Sequence, residues 1–186
     1  MSVDCAVLLT TYHLLLTTMP ADQQLRDALI EEVLLRLYDE SLPRILKCLE
    51  QLGENQIWWR PNESSNSIGN LVLHLCGNVS QWIGSGLGGF PDTRTRQSEF
   101  DRRERISKGE LSQLLSSTME QIKPVIANLA AEELLRKRAV QTFEESGISI
   151  LIHVTEHFSY HTGQIAYITK MLTDNPLGFY EGIILE

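Results

Sequence analysis

The sequence predicts an all-α fold, a four-helix bundle. Apolar residues recur at i, i+3 and i+4 in four long segments. Glycine, proline or Asn/Ser clusters separate those segments. No stretch keeps the strict alternation of a strand over any length. At 186 residues the chain suits a single domain and is long enough to bury a sizeable core. Its hydrophobic fraction of 42% and charged fraction of 22% are ordinary for a globular protein.

Residues 1–21 read as an N-terminal extension and 22–186 as the bundle domain. The apolar run near the start follows Asp4 with no Lys or Arg before it, a poor match to a signal peptide. The run is also too short and too interrupted by threonine for a membrane span. His13 lies within it and reads as structural. The first long helix is expected from Asp22 to Leu52, with Leu34, Leu37, Ile45, Leu46 and Leu49 at helical spacing. Pro43 should kink it or mark a restart after Ser41. Gly53 stops it, and Pro61 with the following Asn/Ser cluster keeps the next stretch irregular. Trp58 and Trp59 read as packing anchors there, with substrate stacking as the alternative.

The second helix is expected from Ser67 to Ile83, capped by Asn66 or Ser67. Ile68, Leu71, Val72, Leu75, Val79, Trp82 and Ile83 form its buried stripe. A glycine-rich break and the charged segment "RTRQSEFDRRER" follow, the latter reading as a solvated loop. "SKGE" is a capping box that starts the third helix, with Ser107 as cap and Glu110 as partner. Leu111, Leu114, Leu115, Ile122, Ile126 and Leu129 form its apolar face, and Pro124 should bend it near its end. "KRAVQTF" is the best strand candidate. The fourth helix is expected from Ile148 to Leu172, after a turn at Gly147, and the tail "DNPLGFYEGIILE" should fold back onto the body.

A net charge of -8 and a pI of about 5.1 disfavour nucleic-acid binding. The three cysteines, Cys5, Cys48 and Cys76, are odd in number and lack CxxC spacing, so neither a disulfide framework nor a thiolate metal knuckle is expected. A reducing, cytoplasmic compartment suits them.

Three of the five histidines, His153, His157 and His161, fall at four-residue steps in the fourth helix. At about 100° per residue, Ile150, Val154, Phe158, Ile165, Ile168 and Leu172 cluster within about 80° of the wheel. His161 lies inside that stripe and His157 at its edge. His153 lies further round: it can replace His157, support a ligand from behind, or face solvent. A buried imidazole without a partner costs about 1–3 kcal/mol. A divalent cation shared by the pair removes that cost, because neutral imidazole ligates zinc, nickel, copper or iron. If the second helix packs beside the fourth, His74 completes a three-histidine site. Three protein ligands leave room for water or substrate, as catalytic sites do. Cys76 points away from His74 and reads as a small core residue.

"SIGNLVLHLCGNVSQW" and "HVTEHFSYHTGQIAYITKML" resemble the DinB-like (YfiT-like) metal-dependent hydrolase superfamily, and "WWRPNESSNSIGNLVLHLCGN" resembles one bacterial subfamily of it. The resemblance spans residues 30–172. It implies an up-down-down-up four-helix bundle, often a homodimer, with a divalent transition metal (Zn, Ni or Fe) on one histidine of the second helix and two of the fourth. On this chain those are His74, His157 and His161. Gly163 and Gln164 belong to the matching motif. Gly163 would permit close helix approach; Gln164 would either donate a hydrogen bond behind the histidines or be a polar edge residue, and Asn78 has the same two readings.

The resemblance implies a metal-dependent enzyme acting on a small molecule. It would be a hydrolase, or a thiol S-transferase using a low-molecular-weight thiol. Glu156 points off the histidine face, so the sequence supplies no obvious general base; Glu99 and Asp101 are the nearest acids that could reach the site. That absence leans toward thiol transfer. The alternatives are a non-catalytic metal- or ligand-binding bundle, and a structural bundle whose histidines are satisfied in the core.

Overall fold

The structure, a computed structural model, describes residues 19–102 and 105–182. Cys5, His13 and nearly all of the N-terminal extension lie outside the described residues. So do Arg103 and Glu104 of the charged segment, and the last four residues of the tail.

The chain is mostly helical. Helix α1 (Ala21–Leu34) runs into a wider π-helical turn, Leu35–Ser41, and continues as α2 (Leu42–Gln51). The expected kink or restart at Pro43 is replaced by this turn. Proline cannot donate to the carbonyl four residues back, and its ring crowds that carbonyl. The widened turn accommodates this, with the Leu42 N–H bonded to the Leu37 carbonyl five residues earlier. A short helix, α3 (Glu54–Ile57), precedes the irregular stretch. Trp58 is buried there and donates from Nε1 to the Ile106 carbonyl at 3.1 Å, the packing anchor expected of it; Trp59 is more exposed.

Helix α4 (Ile68–Val79) starts at Ser67, whose hydroxyl accepts from the Asn70 N–H at 3.2 Å. It ends in a second π-helical turn, Ser80–Ser85. The charged segment is not a plain solvated loop: Arg96–Asp101 form a helix, α5, that turns Glu99 inward. Helix α6 (Lys108–Ala127) opens with the expected capping box and continues past Pro124. Ser107 Oγ accepts from the Glu110 N–H at 3.2 Å, and the Glu110 carboxylate accepts from the Ser107 N–H at 2.8 Å. Leu114, expected on the apolar face, is 38% exposed, because Leu111, Leu115, Ile122 and Ile126 already fill that face.

After α7 (Ala131–Leu135), strands β1 (Lys137–Val140) and β2 (Phe143–Ser146) pair antiparallel, with Lys137 opposite Ser146 and Val140 opposite Phe143. Gln141 takes the left-handed φ of 56° at the tight turn. Helix α8 (Gly147–Thr173) is capped by Ser146. Behind it the tail folds back, with Leu177 buried and the Gly178 carbonyl accepting from Lys47 Nζ at 2.7 Å.

The four long helical segments share one core. Helix α4 packs on α6 and α8, and α2 packs on α8 and α6. Leu37, Ile45, Leu49, Leu75, Leu115 and Phe158 are fully buried within it. Among the described residues no helix is long and apolar enough to cross a membrane.

Candidate metal centre

The packing of α4 on α8 brings His74 against His157 and His161. One ring nitrogen from each lies within 4.8 Å of the other two. His74 is 4% and His161 7% exposed, and His157 is partly buried. The shortest approach is His74 Nε2 to His157 Nε2, at 2.9 Å.

The outer face of each of two rings is held. His74 Nδ1 lies 2.8 Å from Glu99 Oε2. A carboxylate only accepts, so this nitrogen carries the proton and Nε2 keeps its lone pair. Arg94 Nη2 also lies 3.2 Å from His74 Nδ1, but it only donates, and the shorter carboxylate contact decides the tautomer. His161 Nδ1 donates to Gln164 Oε1 at 2.7 Å, leaving its Nε2 lone pair free. This is how metal-ligating histidines are oriented from behind.

Burial, reinforced by the neighbouring histidines, pushes His157 down to about 3. His161 is lowered chiefly by burial, against the opposing effect of its hydrogen bond to Gln164. Both rings are therefore neutral at physiological pH. Burial alone would raise the Glu99 carboxyl, but the bonds from Arg94 and His74 outweigh it and hold it below the ordinary range. Arg94 grips both Glu99 oxygens, with Nε 2.7 Å from Oε1 and Nη2 2.9 Å from Oε2, and reaches Gln81 Oε1 at 3.0 Å.

This donor set fits a transition-metal cation. Two imidazole nitrogens each about 2.1 Å from one ion lie about 3.0 Å apart at a right angle and about 3.4 Å apart at the tetrahedral angle. The 2.9 Å between His74 and His157 suits the first case. Three imidazole nitrogens brought to one place, with two of the rings held by partners behind, suit zinc, nickel or iron alike.

His153 is not part of this cluster. Its ring stacks on Trp82 at a centroid distance of 3.9 Å and lies 5.5 Å from His157. Gln164 stands behind a histidine, but as an acceptor from His161 Nδ1 rather than as the expected donor. Gly163 meets nothing within 4 Å of where a Cβ would stand, so it serves no close helix approach among the described residues. Cys76 is a buried core thiol, pushed up to about 12 by burial. Glu99 does reach the site, but tied to His74 and Arg94; Asp101 is exposed and accepts from Gln97. Glu156 lies on the far side of α8, in a groove of about 660 Å³ that touches none of the three histidines.

Sequence reasoning missed Arg94 and Gly77. The Arg94 side chain is only 5% exposed, although its segment reads as solvated. Gly77 leaves the space that the Glu99 carboxylate fills, and a Cβ there would collide with it. The available signal was a glycine in the interior of an expected helix, one turn before Gln81.

Two cavities flank the histidines. One, about 530 Å³, is walled by Leu71, Phe100, Tyr160, His161 and Tyr167. The other, about 340 Å³, is walled by Asn78, Trp82, His153 and His157, with the hairpin residues Gln141 and Phe143. Neither Trp58 nor Trp59 lines them.

The sequence profile of the family described as "Protein of unknown function (DUF1572)" matches residues 33–179. A crystal structure of a DinB-like protein, YjoA, from Bacillus subtilis superposes with a TM-score of 0.61 at 18% identity, covering 84% of this chain and 99% of that one. The chain therefore has a DinB-like fold. No curated protein matches it in sequence.

Proposed function

The chain belongs to the DUF1572 family, and on that premise we propose that it is a metal-dependent enzyme acting on a small molecule, by thiol S-transfer or hydrolysis. In this reading His74, His157 and His161 hold one divalent ion, zinc, nickel or iron, inside an up-down-down-up four-helix bundle in the cytoplasm. The observation that carries it is the meeting of three histidine nitrogens, with Glu99 and Gln164 behind two of the rings, at the junction of two cavities. A purely structural trio would not need open space on both sides.

A bound divalent ion supplies Lewis acidity, which acidifies a thiol or a water near neutral pH. The residues around it position and shield. Glu99 and Arg94 fix the tautomer of His74. The aromatic walls of the larger cavity, Phe100, Tyr160 and Tyr167, suit the apolar part of a substrate. Glu99 is occupied by two partners and is not free to serve as a general base. That favours thiol transfer over hydrolysis, since an acidified thiol needs no base to make it a nucleophile.

The test is elemental analysis of purified protein, followed by turnover assays with thiols and electrophiles. We expect one transition-metal ion per chain, and its loss in His74→Ala, His157→Ala and His161→Ala. His153→Ala should keep the ion. Protein that never carries stoichiometric metal, with a melting temperature indifferent to EDTA, would return the histidines to a structural role. Bound metal without turnover would leave a binding module.

A further inference from the structure

Asn78 sits one turn beyond His74, 3% exposed, in the wall of the smaller cavity. Its amide makes no hydrogen bond among the described residues, and its Oδ1 is fully buried. A buried polar group left unpaired forfeits its hydration with nothing in return. His153 lines the same cavity, and its Nε2 is likewise buried without a partner. The ring is fixed in place by its stack on Trp82.

The other polar groups around this cavity are engaged. Arg94 is held by Glu99 and Gln81. Gln141 donates to Gln81 at 2.6 Å, and Glu145 accepts from the Ser149 hydroxyl. At the rim Arg96 lays its guanidinium 4.9 Å from the Phe100 ring and makes no ion pair among the described residues. Arg96 borders both cavities.

We propose that this cavity is a substrate-recognition subsite in which Asn78 and His153 bind an amide group, with Arg96 at the rim taking an anionic end of the same molecule. The chemistry selects the group. Asn78 offers an N–H donor and a carbonyl acceptor, and the complement of both is another amide. A carboxylate would repel Oδ1. A cation would face Arg94 and Arg96. A wholly apolar group would leave both orphan atoms unpaired. His157 shares this cavity wall with Asn78, so a molecule seated there reaches the histidine cluster.

The substrate class is therefore a small amide-bearing carboxylate. If the metal and thiol readings above hold, as this inference assumes, it also carries the thiol. N-acetyl-L-cysteine and 3-mercaptopropionate test this, since they differ only by the acetamido group. Each is titrated calorimetrically into zinc-loaded protein. We expect N-acetyl-L-cysteine to bind about tenfold more tightly. In Asn78→Leu and in His153→Phe that ratio should fall to about one, while 3-mercaptopropionate binds as before and zinc stays stoichiometric. The His153 variant carries the test if Asn78→Leu does not fold. Equal affinity of the two thiols for the wild-type protein, or a ratio that survives both substitutions, overturns the subsite and leaves the metal reading intact. Failure of the wild-type protein to take up zinc overturns the metal reading, and the subsite with it.

Discussion

Glu99 reaches His74 because residue 77 is glycine. The carboxylate occupies the volume a Cβ would take, and Arg94 closes on it from the other side. The pair does for His74 what Gln164 does for His161: it engages the outer N–H and leaves the inner lone pair. Removing such support typically costs 10–100-fold in metal affinity. Gly77→Ala should therefore weaken zinc binding by about 10–100-fold, measured by competition with a chromophoric chelator. Glu99→Gln should weaken it within the same range, because a neutral amide stabilises the ligating ring less. Unchanged affinity in both variants would remove the positioning role. The sequence marks Glu99 as an acid that could reach the site, though within a run that reads as solvated, and gives Gly77 no reading of its own.

At the scale of single elements, local chemistry and observed structure agree wherever the cause is local. Ser107 and Glu110 satisfy each other's backbone N–H groups, and this needs nothing beyond four consecutive residues. Ser107→Ala should cost about 1 kcal/mol in urea denaturation. "KRAVQTF" reads as one strand, but only its first four residues form β1; Gln141 and Thr142 make the turn and Phe143 begins the partner strand. The outcome at Pro43 was not legible. A missing N–H can be met by a kink, a break or a widened turn. The choice of the last keeps Leu37, Ile45 and Leu49 on one buried face. The charged segment misleads for a related reason. Its arginines and acids intermingle in sequence, but α5 turns one acid inward, where a histidine proton and a guanidinium await it.

For the whole molecule, the histidine cluster ties stability to pH. In metal-free protein His157 titrates near 3 when folded, against an ordinary value of 6.5. Burial lowers His161 and His153 in the same direction. Between these values the unfolded chain binds protons that the folded chain refuses. The metal-free protein should thus be most stable above about pH 6.5 and lose stability as pH falls toward 3. The urea midpoint in EDTA should drop between about pH 7.5 and about pH 5, and His157→Gln should flatten that drop. An equal slope in wild type and variant would show that His157 is not the coupled group. Elsewhere the core behaves as packed apolar volume. Phe158 is fully buried between the histidine turns of α8, and Phe158→Ala should cost about 3–5 kcal/mol.

Four amphipathic helices, the caps of the second and third at Ser67 and Ser107, and the inward face of His157 and His161 follow from the sequence alone, because each depends on residues within a turn or two of one another. Tertiary structure alone decided that α4 lies beside α8, that Glu99 and Arg94 stand behind His74, and that Asn78 and His153 border a cavity with no partner of their own. Arg94 is 20 positions from His74, and His157 is 83. No helical period or cap spans such a separation; only the packing of whole elements around one core brings those side chains together.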